Sequence, residues 1–212
     1  MSTERPARRR DGAATREAIL AAAVVEFTEH GYTGAGVRQI AERAGVTAMM
    51  INRYFGSKEG LFAQAVDRAF APPTVVGGER TGLAGTIAHT LAERTAPGAE
   101  RLDPFLLLLR SAPDPEAVDI VRQGVETHVG ARLARLLEGP DAEDAEDADV
   151  RAQLALALVA GTWLLRSVVG TTALVSADDG RLAALVADML EPVIRGAGGG
   201  SVPGTGLPVT DG

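Results

Sequence analysis

Three side chains near position 50 have types and spacing suited to reading DNA. At about 100° per residue on a helical wheel, Met49, Asn52 and Arg53 fall on one side of Thr47–Phe55, while Ile51 and Phe55 fall on the other. Thr47 is expected beside the inward pair, with Met50 and Tyr54 flanking the outer face. An Asn amide can bond bidentately to adenine, an Arg guanidinium to guanine, and a Met thioether can meet a thymine methyl. Tyr54 and Lys58 can donate to phosphates. Lys58 falls in the first turn of a following helix, where free backbone N–H groups also favour an anion. Arg38 holds the same place in the preceding helix. Phosphate contacts would position such a unit, and base contacts would specify the sequence. Periodicity alone also suits a solvated face of an ordinary helical bundle.

The elements that must hold these residues are short helices. Val37–Ala44 and Thr47–Phe55 both have helical spacing, and Ala44-Gly45-Val46-Thr47 joins them. Gly45 can take a positive φ at little cost. Thr47 suits the N-cap, and Val46 before it can staple onto Ile51. Two short helices about a Gly turn outline a helix-turn-helix. An earlier helix is expected from Thr15 to Gly31, its face made by Ile19, Leu20, Ala23, Val24 and Phe27. Ser57 is expected to cap a fourth that runs to Phe70, before Pro72 and Pro73.

The run from Thr15 to Val66 resembles the DNA-binding domain of TetR-family transcriptional regulators. The resemblance is carried by Gly31-Tyr32, by Val37-x-x-Ile40-Ala41-x-x-Ala44-Gly45-Val46-Thr47, and by Arg53-Tyr54-Phe55-Gly56-Ser57-Lys58-Glu59-x-Leu61-Phe62. It implies an all-helical homodimer whose recognition helices enter successive major grooves of a roughly palindromic double-stranded operator. It also implies a repressor released by a small-molecule effector, with Thr47, Tyr54 and Lys58 on phosphate. The chain departs from the pattern in two places. Ala35 and Gly36 stand where a Thr or Ser hydroxyl is usual, and Met49 and Asn52 stand where a small residue and a Tyr are usual. The second departure suggests a different operator. The first, together with Met49, favours the alternative, a helical ligand-binding or scaffold protein without operator binding, which Arg53, Tyr54 and Lys58 oppose.

Four segments are expected: a disordered basic arm (1–13), a helix-turn-helix unit (14–70), a helical regulatory and dimerisation domain (83–196) and a disordered tail (197–212). Arg8, Arg9 and Arg10 of the arm are equally consistent with minor-groove contact and a solvated tail. In the second domain helices are expected over Leu83–Thr95, Asp103–Ser111, Asp114–Glu138, Val150–Val175 and Asp179–Arg195, with the acidic stretch Gly139–Asp149 as a solvated loop. The fold class is therefore all-α, a three- or four-helix DNA-binding unit followed by a helical ligand-binding and dimerisation bundle. Ala157, Ala160, Gly161 and Val168 suggest close packing of the last two helices in a two-fold four-helix bundle. Phe105, Leu109, His128, Trp163 and Arg166 are the candidate ligand contacts. Arg166 interrupts an apolar helix and needs a carboxylate, a carbonyl or a bound anion.

Charge and composition limit the alternatives. Residues 1–68 carry net charge +2 and the remainder −9, so the two ends suit different partners. There is no Cys, which excludes disulfides and thiolate metal sites and fits a cytoplasmic protein. Leu154–Leu165 is too short an apolar run to span a membrane, which takes about 20 residues. His30, at a helix C-terminus, is expected to cap it. The acidic run lacks the spacing of a calcium loop. No nucleophile–base pair or metal spacing supports catalysis, and no cofactor is expected.

Overall fold

A computed structural model of the protein describes residues 5–70, 82–99, 104–138 and 142–196. The described residues contain helices and no strand. Helix α1 spans Arg5–Gly34, α2 Val37–Arg43, α3 Ala48–Phe55 and α4 Lys58–Phe70. After these come α5 (Leu83–Thr95), α6 (Pro104–Ser111) and α7 (Val118–Val125). A π-turn at Glu126–Gly130 joins α7 to α8 (Ala131–Leu137). The long α9 (Ala142–Trp163) runs into a second π-turn, Leu164–Val169, and α10 (Thr172–Val175) and α11 (Asp179–Arg195) complete the fold.

Several expected boundaries move. The first helix begins at Arg5 and not at Thr15, so the expected arm is helical from there. Pro6 is tolerated in a first turn, where its missing N–H has no partner to lose, and Ala7, Ala13 and Ala14 are strong helix formers. Residues 1–4, the side chains of Arg8, Arg9 and Arg10, the break at 71–81 and the tail from 197 lie outside the described residues. The acidic stretch is not wholly a loop, because α9 starts at Ala142. Carboxylates favour a helix N-terminus through its dipole, and Ala148 in the second turn is fully buried. The single helix expected over Asp114–Glu138 begins only at Val118 and passes through a π-turn. Gly170, at φ 71°, separates α10 from α9.

Two apolar cores form. In the first, Ile19, Ala23 and Phe27 of α1 meet Ile40, Ile51, Leu61 and Phe62. The Phe62 ring meets Phe27 and Tyr32 edge-on, each at a centroid distance of 4.9 Å. Burying one such side chain stabilises by about 1.5–3 kcal/mol. In the second core, Leu83, Ile87 and Leu91 of α5 pack with Leu182, Val186, Leu190 and Ile194 of α11, and Trp163 joins from α9. The cores do not divide where the sequence suggests. Leu107 of α6, with Ala117 and Val121 at the start of α7, belongs to the first core.

The seam between the two parts is polar and tightly fitted. Arg110 Nη1 donates to the carbonyls of Thr28 (2.8 Å) and Glu29 (2.5 Å) at the end of α1. Arg110 thus takes the capping role expected of His30. The His30 ring instead lies 3.7 Å from Glu26 and 3.8 Å from Glu29. At Gly31 the backbone has φ 69° and ψ −179°, a conformation essentially confined to glycine. A Cβ there would lie 2.5 Å from the Arg110 carbonyl oxygen.

The continuous helix Asp147–Val169, with a mean hydropathy of 1.6 over its most apolar stretch, is long and apolar enough to cross a membrane by length and composition. It therefore exceeds the apolar run read from the sequence. Both of its arginines are buried within the fold. Arg151 is buried and donates to the Leu137 (2.9 Å) and Ile194 (3.1 Å) carbonyls. Arg166 is buried less than one turn from the helix end.

Candidate nucleic-acid interface and ligand cavities

The turn after α2 brings α3 onto the first core. Gly45 takes φ 67°, and the Val46 N–H reaches back to the Ala41 carbonyl (2.9 Å). Val46 packs on the same core as Ile51. With Ile51 and Phe55 buried, Met49, Asn52 and Arg53 are exposed, and Met50 and Tyr54 are half-buried beside them. Met49 stands out most, at 80% exposure. Arg38 on α2 is also exposed. The Tyr54 hydroxyl lies against Gly12, where an added Cβ would be 3.4 Å away.

Thr47 differs from its expected place. It occupies the N-cap position of α3 with φ −89° and ψ 152°, but its hydroxyl makes no capping hydrogen bond. It is exposed and does not sit beside Ile51 and Phe55. The missing hydroxyl before α2 is partly replaced. Gln39 Oε1 accepts the Gly36 N–H at 2.9 Å, while Ala35 is fully buried. Only this reciprocal half of a capping box is present, because Gly36 supplies no side-chain cap to α2. Arg43 ties α2 to α1 through Glu26 (2.7 Å) and Glu29 (3.1 Å).

Lys58 is half-buried at the start of α4. Its ammonium lies 4.6 Å from the centroid of the Tyr32 ring, a cation–π distance. Burial lowers its pKa, against the upward pull of Asp114 and Glu116. Burial raises the Tyr32 phenol, and Glu116, Glu59 and Asp114 raise it further. This neighbourhood has no local sequence signal, because Asp114 and Glu116 lie more than fifty residues away along the chain. The Thr33 hydroxyl donates to Asp114, which anchors that acidic turn beside α1.

The five candidate ligand contacts separate into three places. Phe105, Leu109 and Trp163 line one groove of about 290 Å³ between α6 and α9. Ala157, Ala160 and Gly161, expected at a dimer contact, line it as well. Arg166 lines a different cavity of about 430 Å³, with Arg94, Thr95 and Ser167. Its charge is met within the chain. Nη1 donates to the Ala92 carbonyl and the Thr95 hydroxyl, both at 3.0 Å, and Nη2 lies 2.5 Å from Asp179. Only its Nε is left buried without a hydrogen bond. His128 lines neither cavity. Its Nε2 lies 3.0 Å from Asp67 on α4, so it links the first π-turn to the helix leading from the DNA-reading unit. Sequence spacing could not sort these five, because helix packing decides which apolar faces leave a gap.

Residues 19–65 match the family described as bacterial regulatory proteins, tetR family. Residues 81–194 match the tetracyclin repressor-like C-terminal domain. Over 57 residues the chain is 44% identical to the HTH-type transcriptional repressor NicS of Pseudomonas putida, covering 27% of each chain. The chain spans 20–31% of the length of the curated relatives it matches. The fold is shared more widely. A transcriptional regulator from Rhodococcus sp. Rha1 is 26% identical with a TM-score of 0.56, over 85% of this chain and 96% of that one. The multidrug binding protein EbrR, solved in complex with proflavin, is 22% identical with a TM-score of 0.55, over 84% of this chain and 99% of that one.

Proposed function

We propose that this chain, which belongs to the TetR family of bacterial regulatory proteins, is a repressor that binds a palindromic operator as a homodimer and is released by a small molecule. The observation that carries the reading is the outer face of α3. It exposes Met49, Asn52 and Arg53 together while Ile51 and Phe55 anchor the helix from behind. Asn52 and Arg53 supply the base-edge chemistry, with Met49 and Met50 as apolar contacts. Arg38, Thr47, Tyr54 and Lys58 surround them as phosphate donors. In this reading residues 14–70 form the DNA-reading unit and 83–196 the regulatory one.

Dimerisation through the last two helices is supported by a stripe of apolar residues exposed among the described ones. Val150, Leu154, Leu165 and Val168 are exposed along α9 and its π-turn, and Leu185 and Met189 along α11. Spacings of four, eleven and three residues in the first set and four in the second are each close to whole helical turns and put each set on one helix face, as a bundle of two helices per protomer requires. A two-fold dimer suits half-sites about 34–36 Å apart.

Selection of bound sequences from a random DNA pool at near-physiological salt tests the reading. A two-fold symmetric motif is expected, with affinity falling steeply as salt rises through counterion release. Recovery of no motif, with only salt-labile binding, would instead favour a helical ligand-binding or scaffold protein. The Ala35 departure, which leaves no hydroxyl at that site, is the observation on that side.

A further inference from the structure

The groove between α6 and α9 has a lining that specifies the chemistry of its occupant, and we propose that it binds a neutral, apolar, aromatic molecule with a single hydrogen-bonding group. This rests on reading the chain as a ligand-responsive regulator and names the class of effector. Among the described residues, none of the side chains lining the groove carries a charge. A charged ligand would lose water there and gain no counter-ion, which is costly. The Phe105 and Trp163 rings stand 5.5 Å apart at a tilt of 37°, an aromatic wall of the kind that takes another ring offset or edge-on. Gln153 is the one amide among the described lining residues, and it can both donate and accept. Its nitrogen packs closely on Gly130 of the first π-turn, where an added Cβ would lie 2.9 Å away.

The floor is kept small. Ala160 and Gly161 line it, and a Cβ at Gly161 would meet nothing within 4 Å. Bulk at either position would occupy the groove. At about 290 Å³ the space lies at the lower end of ligand pockets, about 300–1,000 Å³, which suits one or two rings. One wall belongs to α6, the helix whose Arg110 grips the end of α1. An occupant would therefore press on the element that touches the DNA-reading unit.

Trp163 is the sole tryptophan of the chain, so its emission reports on the groove directly. The full chain would be titrated with phenylnaphthylamine, a neutral two-ring probe. Saturable quenching of Trp163 at one probe per protomer is expected. Proflavin, a cation, and anilinonaphthalene sulfonate, an anion, should each bind about tenfold more weakly or worse, since neither charge finds a partner. Ala160→Leu should abolish quenching, Gly161→Leu provides a second filling variant, and far-UV circular dichroism checks that both remain folded. Equal binding of either charged probe, or undiminished quenching in both variants, would overturn the proposal. So would probe binding that appears only on dilution to the monomer, because a second copy would then cover the groove. Operator selection is independent of this titration. Loss of the operator with retained probe binding would count against the repressor reading alone.

Discussion

The outer face of α3 and the groove between α6 and α9 work by opposite means. The α3 face acts through exposure. One helix of eight residues pushes Met49, Asn52 and Arg53 outward, and its own two buried anchors fix their direction. The groove acts through a deficit of packing. It needs Phe105 on one helix and Trp163 on another to be held apart over the small residues of α9. A reading surface can therefore be set by local sequence, whereas a cavity is set by how distant helices fail to meet. The α6–α7 segment connects the two regions, because Leu107 and Val121 belong to the first core while Phe105, Leu108 and Leu109 of α6 line the groove.

That connection can be broken most severely at Gly31. Gly31→Val would force a branched side chain into a glycine-only backbone conformation and against the Arg110 carbonyl. A stability loss of about 3 kcal/mol or more is expected in denaturant unfolding. A variant as stable as the parent would mean that the seam relaxes freely and that the two regions are not rigidly joined there.

Two substitutions sharpen the roles on the DNA side. Arg53→Ala should cost about 1–3 kcal/mol of operator binding and relax base preference at one position, whereas Lys58→Ala should weaken all sequences evenly. Equal, sequence-blind losses from both would remove the base-reading role from Arg53. A smaller effect is expected at the seam itself. Arg110→Ala removes two hydrogen bonds to the end of α1, and about 1 kcal/mol of stability should go with them. Its more telling readout is operator release by a groove-bound probe, which should weaken while probe affinity stays.

The difference between the regions also explains what could be read from the sequence. Ile51 and Phe55 inward with Asn52 and Arg53 outward is a periodicity within nine residues, and it needs no tertiary information. Thr47 was misplaced because an N-cap residue leaves the helical wheel, so its direction does not follow helical spacing. Phe105, Leu109 and Trp163 were legible as apolar candidates, but their separation from Arg166 and His128 was not. Arg166 finds Thr95 and Asp179, and His128 finds Asp67, across 61 to 71 residues or over a helix break. The π-turns that set those directions have no local signature that differs from an α-helix.

The smallest predicted effect concerns Asp114, where the acidic turn meets the DNA-reading unit. The Thr33 hydroxyl and then the Glu116 N–H bond to its carboxylate and hold its pKa below the ordinary value of 3.8. Its folded pKa is thus depressed relative to the unfolded chain. The stabilisation it gives is fully present above the unfolded value and is lost as pH falls through the folded one. Asp114→Asn should therefore lower the unfolding midpoint slightly at pH 5–7, and the gap from the parent should close as both are taken below about pH 4. The carboxylate is exposed, so the gap should be small. A gap of constant size down to pH 2 would show that Asp114 acts through shape and not charge. In that case the pull of this turn on Lys58 would no longer be an electrostatic link between the two regions.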